Sequence, residues 1–197
     1  MKSPKKIKIG ELDTPTLLLN LYLTQLITVV IAFLLYYIFY QLPPVRVFQY
    51  VVLSRIEIKS FLVGLCLSVI IVLFDILLTR FVPKAWIDDG GINEKIFGKI
   101  PIWHIGVISI VVGFSEELLF RGAIQGLIGV NLTSILFTLI HFRYLNRWVL
   151  TIEAFVISLA LGYLSFYLGW FSNFVAHTLI DFLLGIILQQ GYLENTG

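Results

Sequence analysis

Long apolar stretches alternate with short polar segments along most of the chain. Within each stretch the apolar residues are continuous rather than alternating, which indicates helices and argues against a membrane β-barrel. Several stretches reach or approach the roughly 20 residues that a helix needs to cross a bilayer. The pattern predicts six spans, at about Thr16–Tyr40, Phe61–Thr79, Ile102–Ile128, Asn131–Phe142, Val149–Leu168 and Trp170–Leu188.

The connections between these spans indicate how the chain is organised. Thr14 and Pro15 are expected to be the N-cap and the first residue of the first helix. The last four spans are joined by very short connections, so we expect them to pack as antiparallel neighbours. The chain therefore divides into residues 1–101, with a basic tail, two spans and a polar loop, and residues 102–197, with four spans.

Composition supports a membrane protein. Of the 197 residues, 58% are hydrophobic and only 13% are charged, whereas a soluble domain has about 25% charged residues. The net charge of +2 is too small to suggest nucleic-acid binding, and the single cysteine, Cys66, excludes an internal disulfide. The predicted fold class is all-α, a polytopic bundle of about six transmembrane helices that has the lipid bilayer as a partner.

The distribution of lysine and arginine predicts the orientation of the bundle. Ten of the fourteen lie in the N-terminal tail, in the loop between spans two and three, and in the loop between spans four and five. These three segments share one side of the membrane, and the opposite side carries only three. Because positive charge accumulates on the cytoplasmic side, both termini are predicted to be cytoplasmic.

The sequence GFSEELLFRG places charged residues in the middle of the third span. Ionisable residues at this depth are costly and usually face the interior of a bundle, where they indicate a functional site. Glu117 and Arg121 are four residues apart and share a helix face, so pairing would reduce the cost of burying both charges. Glu116 is rotated from them by about 100° and has no local cation.

Histidines provide the second signal. His141 follows Phe137 by one turn, and His177 precedes Asp181 by one turn. A carboxylate at this spacing can accept a hydrogen bond from the ring and fix its orientation, leaving the other nitrogen to face a substrate. His104 lies at a span end, where an interfacial histidine is the expected reading.

Two further carboxylates, Asp75 and Glu153, lie near the ends of their spans. Each can pair or extend toward the membrane surface.

Glu116, His141, His177 and Asp181 can be brought to one depth by three antiparallel spans. A glutamate in an apolar site can act as general base on water, and histidines can polarise a carbonyl or hold an oxyanion. The same four residues are admissible zinc ligands. Alternatively, the histidines only hydrogen-bond helices together. Spacing does not decide between hydrolysis without a metal and a zinc site, since no H-E-x-x-H helix is present.

The order E-E-x-x-x-R, then F-x-x-x-H, then H-x-x-x-D resembles the CPBP family, which contains the CAAX proteases and bacteriocin-processing enzymes, also called ABI proteins. The motifs cover about Ile102 to Leu188 and lie on consecutive spans. The residues that carry them are Glu116, Glu117 and Arg121; Phe137 and His141; and His177 and Asp181.

The resemblance implies an intramembrane endopeptidase in which Glu116 activates water and His141, His177 and Asp181 assist or hold the oxyanion. Glu117, Arg121 and Phe137 would support the site. The family was long classed as metalloproteases, but the resemblance implies a glutamate-dependent enzyme that requires no metal, with zinc as the alternative.

The eukaryotic enzymes carry Asn at the position of Asp181 and are longer than this chain, so the expected substrate is a membrane-associated peptide or protein in a bacterial plasma membrane.

Two other functions are compatible with a polytopic bundle. One is a non-enzymatic membrane partner, such as a bacteriocin self-immunity protein or a signalling regulator. It has no need of the combination of Glu116, His141 and His177. The other is a small transporter, which would need broken helices and a second set of charges in the first two spans.

Overall fold

A computed structural model describes residues 12–54, 56–87 and 90–191. Every regular element in these ranges is helical, which confirms the all-α prediction. The helices are α1 Thr14–Tyr40, α2 Pro44–Val47, α3 Ile58–Phe81, α4 Lys84–Ile87, α5 Ile92–Phe97, α6 Ile102–Glu117, α7 Gln125–Ile140, α8 Trp148–Leu168 and α9 Trp170–Gln189. A first π segment, Phe48–Val52, follows α2, and a second π segment, Leu118–Ile124, joins α6 to α7.

Helix α1 begins one residue earlier than the sequence predicts. Asp13, rather than Thr14, is the N-cap, because its side chain accepts a hydrogen bond from the backbone N–H of Thr16 at 3.3 Å. The hydrogen bond from Thr16 also lowers the pKa of Asp13. The helix ends at Tyr40, and its C-cap, Gln41, adopts a left-handed conformation with φ 54°.

The chain reverses direction at Gly129. This glycine has φ 79° and ψ 170°, a combination that is essentially restricted to glycine. The rings of Phe120 and Phe137 lie 5.0 Å apart, although a straight helix would separate residues 17 positions apart by about 25 Å. Residues 102–140 therefore form a hairpin rather than one continuous rod.

Five helical segments are long and apolar enough to cross a membrane, counting Ile102–Ile140 as one. The reversal at Gly129 separates the third and fourth predicted spans within that segment. The part after the turn, residues 130–140, is only about 16 Å long, so the fourth predicted span is too short to cross a bilayer core of about 30 Å. The protein is thus a multi-pass membrane protein with five helical segments of spanning length among the described residues.

Helix α9 lies at the centre of the bundle and packs against α3, α5, α6 and α8. Its approach to α6 is close, because a Cβ on Gly113 would lie only 3.2 Å from the backbone nitrogen of Thr178. Helix α1 packs along α6 and the second π segment. These contacts bring the polar residues of α6, α9 and the second π segment into the interior.

Candidate active site

Glu117 is the fully buried anion of the site. Its Oε1 lies 3.1 Å from Nη1 of Arg121, and neither side chain is accessible to solvent. The Nη2 of Arg121 donates to both the backbone oxygen and the hydroxyl of Ser158, each at 3.0 Å. The predicted pairing of Glu117 with Arg121 is therefore confirmed, and Ser158 on α8 provides the second anchor for the guanidinium.

Helix α9 presents polar side chains at intervals of four residues, namely Asn173, His177 and Asp181. The amide of Asn173 donates to Oε2 of Glu117. His177 Nδ1 lies 2.6 Å from Oε1 of Glu117, which accepts a hydrogen bond from the ring. Both carboxylate oxygens of Glu117 are thus occupied.

The prediction that Asp181 fixes the ring of His177 by accepting a hydrogen bond from it is wrong. Nε2 of His177 lies 3.6 Å from Oδ2 of Asp181, which is beyond hydrogen-bond distance. The ring is instead held through Nδ1 by Glu117, a contact between two helices that the spacing within α9 does not reveal. Asp181 remains a neighbour of the Nε2 edge, and Nδ1 does not face a substrate.

Glu116 points away from this network, as the 100° rotation predicts. It is half-buried, and its Oε1 accepts a hydrogen bond from the side-chain amide of Gln25 at 3.3 Å. Gln25 in turn accepts from the hydroxyl of Ser115.

Phe137 separates the two histidines. Its ring lies 4.4 Å from the ring of His141 and 6.4 Å from that of His177, and the guanidinium of Arg121 lies 4.9 Å above its face. His141, at the end of α7, donates from Nδ1 to the backbone oxygen of Phe137 at 2.7 Å. This bond places a proton on Nδ1 and leaves Nε2 as the second functional nitrogen.

The structure therefore brings some of the predicted site residues into direct contact, whereas others are connected to them only through a further residue. Glu117 contacts both Arg121 and His177, and Phe137 lies next to the same two side chains, with Asp181 beside His177. Among the described residues, Glu116 has Gln25 as its hydrogen-bond partner, and His141 reaches the group only through its hydrogen bond to the backbone oxygen of Phe137.

A metal site is not formed by this arrangement. No three histidine, cysteine, aspartate or glutamate side chains within the described ranges converge closely enough to hold an ion. Glu116, His141, His177 and Asp181 are thus not gathered around one point among the described residues, and zinc stays a prediction of the sequence.

Four residues of the network escaped sequence reasoning: Gln25, Ser115, Ser158 and Asn173. A signal existed for Asn173, because it precedes His177 by the same four residues that separate His177 from Asp181. Gln25 could also have been identified from the sequence, because it is an amide within an apolar span. Ser115 and Ser158 carried no such signal, since serine occurs throughout membrane helices.

The other polar candidates lie outside this cluster. Asp75 on α3 and Glu153 on α8 lie beside each other, and Oε1 of Glu153 is buried without a hydrogen-bond partner among the described residues. His104 accepts or donates a hydrogen bond at 2.9 Å to the hydroxyl of Tyr22 and stacks on Trp103. The contact of His104 with Tyr22 joins α6 to α1, and neither contact of His104 involves a motif residue.

Comparison with known proteins identifies the region that carries the site. Residues 98–183 match the family described as type II CAAX prenyl endopeptidase Rce1-like. Uncharacterized protein YpbD of Bacillus subtilis (strain 168) is 41% identical over 119 residues, which are 60% of this chain and 63% of that protein. The match thus spans less than two thirds of this relative's length. No solved structure matches the chain.

All three motifs, from Glu116 to Asp181, fall within the matched residues. The polar cluster described above is built from the same residues, with Gln25 of α1 and Ser158 of α8 as its outer contacts. The resemblance predicted from the motifs is therefore confirmed over residues 98–183, the region that matches the Rce1-like family and holds the candidate site.

Proposed function

We propose that the protein is an intramembrane endopeptidase of the CAAX protease type, with Glu116 as the general base. The observation that carries this proposal is the difference between the two adjacent glutamates. Glu117 has both oxygens engaged by Arg121, His177 and Asn173, so it has no free oxygen for water. Glu116 has one neutral partner, Gln25, and its second oxygen is left for a water molecule.

The reaction follows from these positions. Glu116 takes a proton from water as the oxygen attacks the peptide carbonyl carbon, and the proton then passes to the leaving amine. The carbonyl oxygen becomes an oxyanion that needs hydrogen-bond donors. His177 can donate from Nε2 when its ring carries both protons, because Nδ1–H is directed at Glu117. His141 can donate from Nε2 under the same condition, since its Nδ1–H is directed at Phe137.

Glu117 and Arg121 act in this proposal as positioning residues. Their ion pair fixes the carboxylate that holds His177, and Phe137 fills the space between the two imidazoles. Asp181 lies beside Nε2 of His177 and influences it by charge. None of these steps requires a metal ion.

The substrate proposed is a membrane-associated peptide or protein, and the location proposed is a bacterial plasma membrane. The matched family is described as acting at prenylated CAAX sequences, so a prenylated peptide is one substrate to test. The interpretations as metalloprotease and as bacteriocin immunity protein find no support in the family match or in the contacts of the described residues.

The decisive experiment compares membranes from cells that produce the wild-type protein or Glu116→Gln at equal levels. New peptide termini are quantified by mass spectrometry, and a prenylated CAAX peptide is assayed with the purified proteins. Cleavage should fall by roughly 10²- to 10⁴-fold, the scale of a general base. Glu116 has no cation among its hydrogen-bond partners, so the variant should still accumulate.

Glu57→Gln serves as the matched control, because Glu57 is an exposed glutamate at the start of α3. It should cleave as the wild type does. Full activity of Glu116→Gln on a substrate that the wild type cleaves would end the assignment of the base. Terminus profiles that do not differ between cells with and without the protein would instead favour a non-enzymatic membrane partner.

A further inference from the structure

Gln25 is a buried amide in the middle of α1. Its side chain is 7% exposed, and its Nε2 donates to Oε1 of Glu116 at 3.3 Å. Among the described residues, Gln25 is the hydrogen-bond partner of this carboxylate. Helix α1 lies outside the family match, which covers residues 98–183. The proposed base is therefore held by a helix that carries none of the three motifs.

Ser115 determines which end of the amide faces Glu116. Its hydroxyl donates to Oε1 of Gln25, so Nε2 is the end that is directed at the carboxylate. The same hydroxyl lies 2.7 Å from the backbone oxygen of Val111 and 3.1 Å from that of Val112. Because a hydroxyl has a single proton, Ser115 can exchange its bond to Gln25 for a bond to its own helix.

A neutral partner suits a carboxyl group that must change its charge. A general base is ionised before it takes the proton of water and neutral afterwards. A cation such as Arg121, which lies 3.1 Å from Glu117, favours only the ionised form. The amide of Gln25 carries both a donor and an acceptor, so it can hydrogen-bond to either form of Glu116. The two adjacent glutamates therefore have partners of different kinds, one suited to a fixed charge and one to a changing charge.

We propose that Gln25 is a positioning residue that holds Glu116 in both protonation states, an inference that rests on the proposed endopeptidase function. Before reaction, Nε2 of the amide donates to the ionised carboxylate. After Glu116 has taken the proton of water, the amide turns over, so that Oε1 accepts from the carboxyl group and Nε2 donates to the hydroxyl of Ser115. That hydroxyl then donates to the backbone oxygen of Val111. Each hydrogen bond that is lost when the proton moves is thus replaced by another.

The test measures kcat and KM of the purified full chain for Gln25→Met, which keeps the length of the side chain and removes the amide. The substrate is the prenylated CAAX peptide if the wild type cleaves it, and otherwise a peptide spanning a terminus that depends on Glu116. We expect kcat to fall by about tenfold, the effect of one hydrogen bond to a charged group, and KM to stay within about twofold. This split is expected because the amide acts on the base during the reaction and not on substrate binding.

Gln125→Met is the matched control. Nε2 of Gln125 also donates to another helix, at the backbone oxygen of Gly162, 3.1 Å away. Gln125 lies nine residues after Glu116, which is about 13 Å along a helix. Loss of a hydrogen bond between helices would be common to both variants, whereas only Gln25→Met removes a partner of the base. The control should therefore keep kcat within about twofold of the wild type.

Ser115→Ala tests whether Ser115 acts through the amide. Alone it should lower kcat by about threefold, because Gln25 loses the hydroxyl that orients it. Combined with Gln25→Met, it should lower kcat no further, since the effects of residues that share one hydrogen-bond network are not additive. A purely structural role for the two side chains would give no such dependence.

Three results would overturn the inference and leave the endopeptidase function intact. They are a kcat for Gln25→Met equal to that of Gln125→Met while Glu116→Gln is inactive, a loss that appears only as a raised KM, and an additive loss in the double variant. An unchanged kcat in Ser115→Ala would have the same meaning, so the inference remains testable even if Gln25→Met does not accumulate. Full activity of Glu116→Gln would instead end the proposed function, and the inference with it.

Discussion

The bundle buries acidic side chains in two regions that differ in their partners. Around Glu117, one carboxylate is surrounded by a guanidinium, an imidazole and an amide, all directed at its oxygens. Between α3 and α8, Asp75 and Glu153 lie beside each other, and among the described residues neither forms an ion pair with a lysine or arginine. The first region concentrates opposite charges, whereas the second brings like groups together.

The two arrangements reduce the free-energy cost of burying a carboxyl group inside a membrane in different ways. A carboxylate with a cation and several donors keeps its charge, because the lost hydration is replaced by fixed partners. Two carboxyl groups in hydrogen-bonding contact need a proton on one of them, since an ionised carboxylate can only accept. The region around Glu117 therefore keeps charged side chains that can act on a reaction. The pair of Asp75 and Glu153 lies between α3 and α8 and carries a smaller total charge.

The largest effect on stability should come from Glu117→Gln. The substitution leaves the buried Arg121 without its anion and replaces one of the two oxygens that accept from Arg121, His177 and Asn173, which should cost about 3–5 kcal/mol of unfolding free energy. Unfolding by SDS in mixed micelles provides the measurement, with Glu57→Gln as the exposed control. A loss below about 1 kcal/mol, the range of surface substitutions, would show that the ion pair is dispensable.

Asp181 should give an intermediate effect that is confined to activity. Because its Oδ2 lies 3.6 Å from Nε2 of His177, Asp181→Ala should lower kcat/KM by about tenfold, below the usual contribution of an acid–base group. Asp181→Asn should restore most of that loss, since the amide oxygen can still face the ring. The assay uses matched membrane levels and any substrate that depends on Glu116. Equal damage by Asn and Ala would instead indicate a role specific to the carboxylate.

Glu153→Gln should change the unfolding free energy by no more than about 1 kcal/mol. The amide of glutamine can donate to Asp75, so the contact between α3 and α8 is kept without a shared proton. The same SDS titration allows direct comparison with Glu117→Gln. If Glu153→Gln were as destabilising as Glu117→Gln, the two acidic regions would depend equally on the charge of their carboxyl groups.

Removal of metal ions should have no effect on either region. Since no group of three donor residues converges in the described ranges, exhaustive chelation is expected to leave both activity and stability unchanged. The check is a cleavage assay before and after chelation, combined with metal analysis of the purified protein. Activity that disappears and returns on addition of zinc would establish a metal enzyme instead.

Local periodicity explains what could be predicted from the sequence. The pair of Glu117 and Arg121 follows from spacing within one helix, and the spans follow from their apolar length. The contact of His177 with Glu117 could not be predicted in this way, because it depends on the antiparallel register of α6 and α9. That register is set where Gly113 approaches Thr178, a contact between distant positions.

The spacing of residues within one helix could not identify an acidic neighbour on another helix either. Asp75 and Glu153 are far apart in the sequence, and each lies near a span end where pairing with solvent or a nearby cation was the simpler expectation. The role of Gly129 was hidden for a different reason. Its position between two apolar stretches predicted a connection, but only its φ and ψ show that the connection is a single-residue reversal.

The turn at Gly169 has a consequence for how the protein is made. Helix α8 ends at Leu168 and α9 begins at Trp170, and the glycine between them has φ 89° and ψ 170°. A connection of one residue is too short for one helix to be inserted while the other remains at the membrane surface. We therefore expect α8 and α9 to enter the bilayer together as a preformed hairpin, so His177 and Asp181 reach their depth in the same event that delivers Ser158.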